Sequence, residues 1–410
     1  MRRLHWQDFA ALKPRLSGDQ QRAAVVAGAA HALHDGYTDL VYILLPLWQS
    51  EFGLTYAALG VLRSVLVGAM ACLQIPAAFA SERFGAATVL ALGTAVAGFG
   101  YCFAGASTGF AMLLAALLIC GIGSSTQHPI SSALVAHAFA GPRSLRALGT
   151  YNFTGDVGKM TLPAALSLML LAMPWRPALA ILGAIGIGIA ALIYFATPRY
   201  EHGVVAHAPG DGKSTQRQDK RPPFAFPVLF TIGVVDTATR MGFLLFLPFV
   251  LRDKGASEQT IGLAMTLVFA GGAVGKLACA FIGARIGAIA TVWLTEGSTA
   301  AGIVALFPLP LGAALLLLPL LGVALNGTSS VLYGSVPDLV VPHWRSRALG
   351  VFYTGTIGAG AIAPVLFGRA GDAFGIAPAL TLVAAFVLLT LPLAALLRGP
   401  LSRTYGAGTA

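Results

Sequence analysis

Long apolar stretches recur along nearly the whole chain, separated by short clusters of Gly, Pro and charge. Each is long enough to cross a hydrocarbon core, which takes about 20 helical residues. Breaking the runs at those clusters predicts twelve helices, over 23–48, 56–81, 86–106, 109–138, 145–171, 175–196, 225–252, 258–284, 288–307, 310–336, 346–370 and 376–398. The longest polar interruption, 198–223, falls between the sixth and seventh and splits them into two sets of six. The expected fold is therefore an all-α integral membrane protein with twelve transmembrane helices in two six-helix bundles, over 23–197 and 224–398. A segment 1–22 precedes them, the linker 198–223 joins them and a tail 399–410 follows.

The two sets repeat. Leu45, Pro46, Gly53, Thr55 and Gly60 align with Leu247, Pro248, Gly255, Ser257 and Gly262 at a constant shift of 202 (255 less 53). The register continues through Ala78, Phe79, Arg83, Gly85 and Ala86 onto Ala280, Phe281, Arg285, Gly287 and Ala288. Parallel repeats of this kind relate two membrane bundles by a pseudo-two-fold axis and place a binding site between them near the midplane.

Composition narrows the class. The chain is 57% hydrophobic and 10% charged with mean hydropathy +0.78, against about 25% charge in soluble proteins, which excludes a large soluble catalytic domain. A net charge of +10 would suit nucleic acid if it lay on one soluble face, but most Lys and Arg fall in alternate loops. That asymmetry predicts both termini inside, in a bacterial cytoplasmic (inner) membrane, and no nucleic-acid partner. Residues Met1 to Arg22 lack the apolar core and cleavage site of a signal peptide and read as an amphipathic stretch on the cytoplasmic leaflet. Cys72, Cys102, Cys120 and Cys279 lie in apolar spans without metal-ligand spacing. The run Gly271 to Leu277 lacks the Ser or Thr and the preceding strand of a phosphate loop, and Gly183 to Gly188 reads as helix-packing glycine. No enzyme motif or cofactor site survives, which leaves the proton gradient as the expected energy source.

Ala77 to Gly85 resembles the cytoplasmic loop motif of the major facilitator superfamily, with Ser81 and Glu82 where a Gly-to-Asp pattern is usual. The whole chain is similar to that superfamily. His31-Ala-Leu-His34-Asp35 with Leu45-Pro46, and Gly123 to Pro129, resemble its fosmidomycin-resistance branch, although His34, Gln127 and Ile130 depart from the usual residues. The resemblance implies the major facilitator fold and export by proton antiport.

Nine ionisable side chains fall within apolar spans: Asp35, Asp39, Arg63, Asp156, Lys159, Asp236, Arg240, Lys276 and Glu296. Each costs about 2.5–3.5 kcal/mol near the bilayer centre, so it should face a cavity or a partner. Spacing pairs Asp236 with Arg240 and Asp156 with Lys159, and matching depth pairs Asp39 with Arg63 and Lys276 with Glu296. Asp35 is left over. It sits on one polar face of the first helix with His31, His34, Thr38, Asp39 and Tyr42, where two imidazoles beside a buried carboxyl suit it to load and release protons. Asp35, His34, His31 and Asp156 are therefore the candidate proton-coupling residues. The candidate substrate-binding residues are Asp39, Tyr42, Arg63, Gln127, His128, Asn152, Lys159, Asp236, Arg240 and Lys276. For His34 and Gln127 the competing reading is hydrogen bonding within the bundle.

These residues point first to a proton-coupled exporter of a small organic molecule or drug, acting as a monomer by alternating access. Proton-coupled uptake of an organic anion, and transport of a divalent metal through the His and Asp cluster, are the alternatives. A sensor without transport would need no charged lining. The donors on His128, Arg240 and Lys276 favour an anionic cargo. For the topology, Ser214→Cys and Thr108→Cys should be labelled by an impermeant thiol reagent from opposite sides of the membrane. Labelling of Ser214→Cys in intact cells would overturn it.

Overall fold

A computed structural model describes residues 16–139, 142–199, 222–341 and 344–405. Among them are twelve membrane-length helices and no strand. They are α1 (Gly18–Phe52), α2 (Tyr56–Phe84), α3 (Ala86–Gly105), α4 (Phe110–Ala138), α5 (Pro142–Met169), α6 (Trp175–Ala196), α7 (Ala225–Asp253), α8 (Glu258–Ile286), α9 (Ala288–Ala305), α10 (Leu311–Leu339), α11 (Arg345–Phe374) and α12 (Ile376–Leu396), followed by a short α13 (Arg398–Tyr405). Ten of the twelve are long and apolar enough to cross a membrane. The other two, α1 and α5, match them in length but give up apolarity to the polar residues that line the site.

The repeat is written into the turns. Gly53 and Gly255, and Gly85 and Gly287, all take positive φ (61°, 86°, 86° and 87°), a backbone region open to Gly at no steric cost, and each pair is 202 apart. Thr55 and Ser257 cap α2 and α8 at the same register, accepting from Ala58 N and Thr260 N. Within the first half α1 packs on α5, α2 on α4 and α3 on α6; α7 on α11, α8 on α10 and α9 on α12 repeat the scheme.

Several sequence boundaries shift. The α1 helix starts at Gly18 because Ser17 and Gln20 form a reciprocal capping box, so the last residues of the predicted 1–22 segment are helical, while 1–15 lie outside the described residues. The fourth span breaks at Ser125–Thr126, because the Pro129 ring clashes with the carbonyl four residues back; Pro392 interrupts α12 at Leu388–Leu389 in the same way. Most of the linker, 200–221, and Ser214 with it, lies outside the described residues.

The halves meet along α2 with α11 and α5 with α8, joins that the repeat exchanges. Several hydrogen bonds between them lie toward the end carrying the Gly53 and Gly255 turns. There Arg252 donates to the Pro46 carbonyl (2.9 Å), Thr266 to the Met160 carbonyl (3.1 Å), and Ser64 to Ala361 O. The Asp372 carboxylate at the end of α11 accepts from Tyr56 N (2.7 Å) and Ala57 N (3.0 Å), capping the partially positive N-terminus of α2 from the other half. Tyr56 also packs between Phe246 and Phe249. This end is sealed.

Two glycines set the distance between α1 and α5. A Cβ on Gly36 would lie 2.7 Å from the Gly158 carbonyl, and one on Gly158 would overlap Ala32 O. Gly158→Ala should therefore force the two helices apart and lower stability by about 1–3 kcal/mol, the cost of overpacking. An unchanged unfolding temperature in detergent would refute this contact.

Candidate functional site

Between the halves lies a cavity of about 530 Å³, within the range of roughly 300–1,000 Å³ typical of small-molecule sites. Asp35, Asp39, Asp156 and Lys159 line one wall, and Asp236, Arg240, Lys276 and Asn326 the other. Nearly all of this polarity comes from α1 and α5 in the first half and from α7, α8 and α10 in the second.

Asp35 is the hub of the first wall. Its Oδ2 lies 3.3 Å from His31 Nε2 and 3.3 Å from Lys159 Nζ, while Oδ1 lies 3.6 Å from His128 Nε2. The absence of a side chain at Gly155 makes room for the group, since a Cβ there would sit 2.6 Å from His31 Nε2 and 2.7 Å from Asp35 Oδ2. The His31 ring stacks on Tyr151 (4.3 Å, 25°), and its Nδ1 donates to the Tyr151 carbonyl at 2.8 Å.

Three sequence pairings are corrected here. Lys159 bonds Asp35 rather than Asp156, because the close approach of α5 to α1 puts Asp35 within reach of its long side chain. Asp156 instead takes Lys276 across the cavity at 2.5 Å, an ion pair that joins the halves. Asp236 and Glu296 form no ion pair among the described residues, so neither pairs with the base assigned to it by spacing or depth. Arg240 Nη1 reaches Asn326 Oδ1 at 3.4 Å and its Nε has no partner. Asp39 and Arg63 do meet (3.6 Å); Arg63 also donates to Tyr42 Oη (2.9 Å) and to Thr38 O and lies over the Tyr42 ring.

The second imidazole beside Asp35 is His128, not His34. Adjacent residues on a helix diverge by about 100°, and His34 turns to α3 and α4. Thr94 Oγ1 already donates to the Leu90 carbonyl, so His34 Nε2 donates to it (3.0 Å) and Nδ1 accepts from Ser124 Oγ (3.2 Å). Gln127 donates to Tyr151 Oη (3.0 Å) behind the lining, and Tyr42 is also buried outside it. Asn152 lies on the cavity wall. Asn326 is absent from the predicted site, although the polar run Asn326-Gly-Thr-Ser-Ser330 in an otherwise apolar helix was the available signal. Tyr151, which supplies a backbone carbonyl and a stacked ring to His31, was not among the predicted site residues.

His31, Asp35 and His128 each present one ligand atom within 4.8 Å of the others, a donor set that suits a transition metal. Lys159 contacts the same carboxylate oxygen as His31, however, and puts a positive charge where a divalent cation would sit. The arrangement suits protons better than metal.

Two repeated six-helix bundles around a central charged cavity define a membrane transporter, not an enzyme. The sequence profile of the Major Facilitator Superfamily matches residues 27–235 and 228–408, and the chain belongs to that family. It is 26% identical to the probable sulfoacetate transporter of Cupriavidus necator, over 81% of this chain and 83% of that one. It is 24% identical to the D-galactonate transporter of Escherichia coli, over 83% and 86%. Likeness to the Escherichia coli fosmidomycin resistance protein, 28% identical, spans 32% of each chain. In fold it is similar to a bacterial homologue of the human lysosomal transporter Spinster, inward-facing and occupied (TM-score 0.78, 16% identity, 95% of this chain and 98% of that one). A nucleoside transporter superposes at TM-score 0.72 with 14% identity, over 92% and 99%.

Removing one member of an enclosed ion pair strands the other, whereas removing both does not. Asp156→Asn and Lys276→Gln should each slow transport about tenfold, equivalent to roughly 1.4 kcal/mol. The double variant should transport better than either single one. Strictly additive losses in the cycle would show that the two side chains act independently.

Proposed function

We propose that the protein is a proton-coupled symporter of a small organic anion, working by alternating access with its open end toward the cytoplasm, as the loop charges orient it. One observation carries the reading: His31 and Asp35 meet through atoms that need a proton between them. The Tyr151 carbonyl only accepts, so His31 Nδ1 bears hydrogen, and a neutral ring would turn a bare Nε2 lone pair toward the carboxylate. The contact is attractive only with the extra proton on His31 or on Asp35.

That proton decides what Lys159 does. With Asp35 ionised, Lys159 is neutralised in place; with Asp35 protonated, its ammonium is free for an anion in the cavity. Proton and anion then favour each other's binding, which by linkage is symport. Antiport would instead require substrate and proton to exclude one another at Asp35, and an anion does not compete for that site. The two relatives that align over more than four fifths of the chain are named for acidic substrates, in keeping with this chemistry.

Purified protein in liposomes with an imposed pH gradient should accumulate sulfoacetate or galactonate, used as probes, with proton uptake and no response to a quaternary ammonium cation. Asp35→Asn should abolish accumulation driven by the gradient while substrate exchange persists. Proton release coupled to substrate entry would overturn symport, and concentration of substrate by the Asn variant would make Asp35 structural.

A further inference from the structure

We propose that the cargo is a hydroxy acid, whose anionic group is received by Arg240 and whose hydroxyl groups donate to a row of side-chain oxygens on α10 and α11. The proposal rests on the anionic cargo argued above and adds what the uncharged part of that cargo carries. Four Lys and Arg side chains line the cavity: Arg63, Lys159, Arg240 and Lys276. Arg63 meets Asp39, Lys159 meets Asp35 and Lys276 meets Asp156. Among the described residues no ion pair reaches Arg240. Its Nη1 makes one long hydrogen bond, to Asn326 Oδ1 at 3.4 Å, and its Nε makes none. A guanidinium is a planar fork of N–H donors that fits a carboxylate, and most of this fork is unpaired. Lys159 becomes available only when Asp35 is protonated; Arg240 needs no such step.

Opposite chemistry lies beside it. Asn326, Ser329, Ser330 and Tyr333 recur at i, i+3, i+4 and i+7, so they share one face of α10, and all four line the cavity. At 1.5 Å per residue they extend over about 10 Å. Ser329 Oγ donates to the Asn326 carbonyl and Ser330 Oγ to the Gly327 carbonyl, both at 2.8 Å. Thr356 Oγ1 of α11, also on the cavity wall, donates to the Tyr353 carbonyl at 2.9 Å. In its contact with Tyr333 Oη (3.1 Å) Thr356 is therefore the acceptor and the phenol the donor. Each of these hydroxyls has used its one proton within the protein. What each still offers the cavity is a lone pair.

A cargo that matches this wall has to bring an anion at one end and hydrogen-bond donors along its length. An alkyl acid without hydroxyls has no donor to offer, and each acceptor it covers loses water without gaining a partner. A neutral polyol has the donors but leaves the Arg240 charge facing an uncharged group. A hydroxy acid of several carbons satisfies both. Asn326 joins the two parts of the wall: its Oδ1 accepts from Arg240 while its Nδ2 donates to the Gly322 carbonyl at 3.1 Å. The amide is thereby fixed with its acceptor toward the guanidinium.

Calorimetric titration of the purified full chain in detergent, at one pH, tests this without any transport, with galactonate, sulfoacetate and galactitol as probes. Galactonate should bind at least about tenfold more tightly than sulfoacetate, which has charge and no hydroxyl, and than galactitol, which has hydroxyls and no charge. Ser330→Ala and Tyr333→Phe should each weaken galactonate about fivefold, the loss of one hydrogen bond, and leave sulfoacetate unaltered. Arg240→Gln should bring galactonate down to the level of galactitol. An unchanged unfolding temperature shows that a variant is folded, and Ser329→Ala reads the same row of oxygens if Ser330→Ala or Tyr333→Phe is not. Galactonate that fails to bind, binds no more tightly than sulfoacetate, or is unaffected by the loss of these oxygens overturns the hydroxy acid and leaves an anionic cargo standing. Galactitol binding as tightly as galactonate removes the anion, and with it the reading on which the proposal rests.

Discussion

Charge inside a membrane protein has to be matched within a few ångströms, and that requirement organises this molecule. Arg63 is enclosed by Asp39, Tyr42 and the Thr38 carbonyl, all of α1, so it fastens α2 to its own half. The Asp35 cluster likewise stays within the first half, between α1, α4 and α5. Asp156 and Lys276 differ, because they come from opposite halves. Matches inside a bundle tie its helices together; the match across the cavity ties one bundle to the other.

The rigid part depends in turn on glycine. Along α5, Gly155 and Gly158 occupy positions where any side chain would meet α1, and they bracket Asp156 and flank Lys159. Backbone contact removes the play that a long lysine would otherwise have. The imidazoles and the ammonium are thus held 3.3–3.6 Å from the Asp35 carboxylate.

The repeat, the twelve spans and the charged face of α1 were legible from residues, because hydrophobic length and a register of turn glycines are local properties. What could not be read was which face of one helix meets which face of another. The Asp156–Lys159 spacing of three and the Asp236–Arg240 spacing of four each describe a contact available to an isolated helix. In the bundle Lys159 has a nearer acid on α1, and Arg240 reaches Asn326 on α10 instead of Asp236. Pro129 was visible in the chain, yet the break it causes depends on α4 having no reason to stay straight. His34 and His128 show the same limit: adjacency to Asp35 in sequence misled, while His128, nearly a hundred residues away, is at hand in space.

The two-fold symmetry fails at one informative place. Asp372 caps the N-terminus of α2 from the opposite half, but the position that would do the same for α8 by the repeat, 201 residues earlier in this stretch where Pro364 matches Pro163, is Leu171. Both positions lie at the same sealed end, because a parallel repeat keeps the two halves the same way up, so the bond favours the closed state of that end through α2 and α11 alone. A carrier with such a bias spends most of its idle time facing one compartment, and its apparent affinity on the other side is weakened by the fraction of molecules turned that way. Sidedness of this kind needs no difference in the binding site: a single carboxylate on a distant helix end gives the transporter a resting direction.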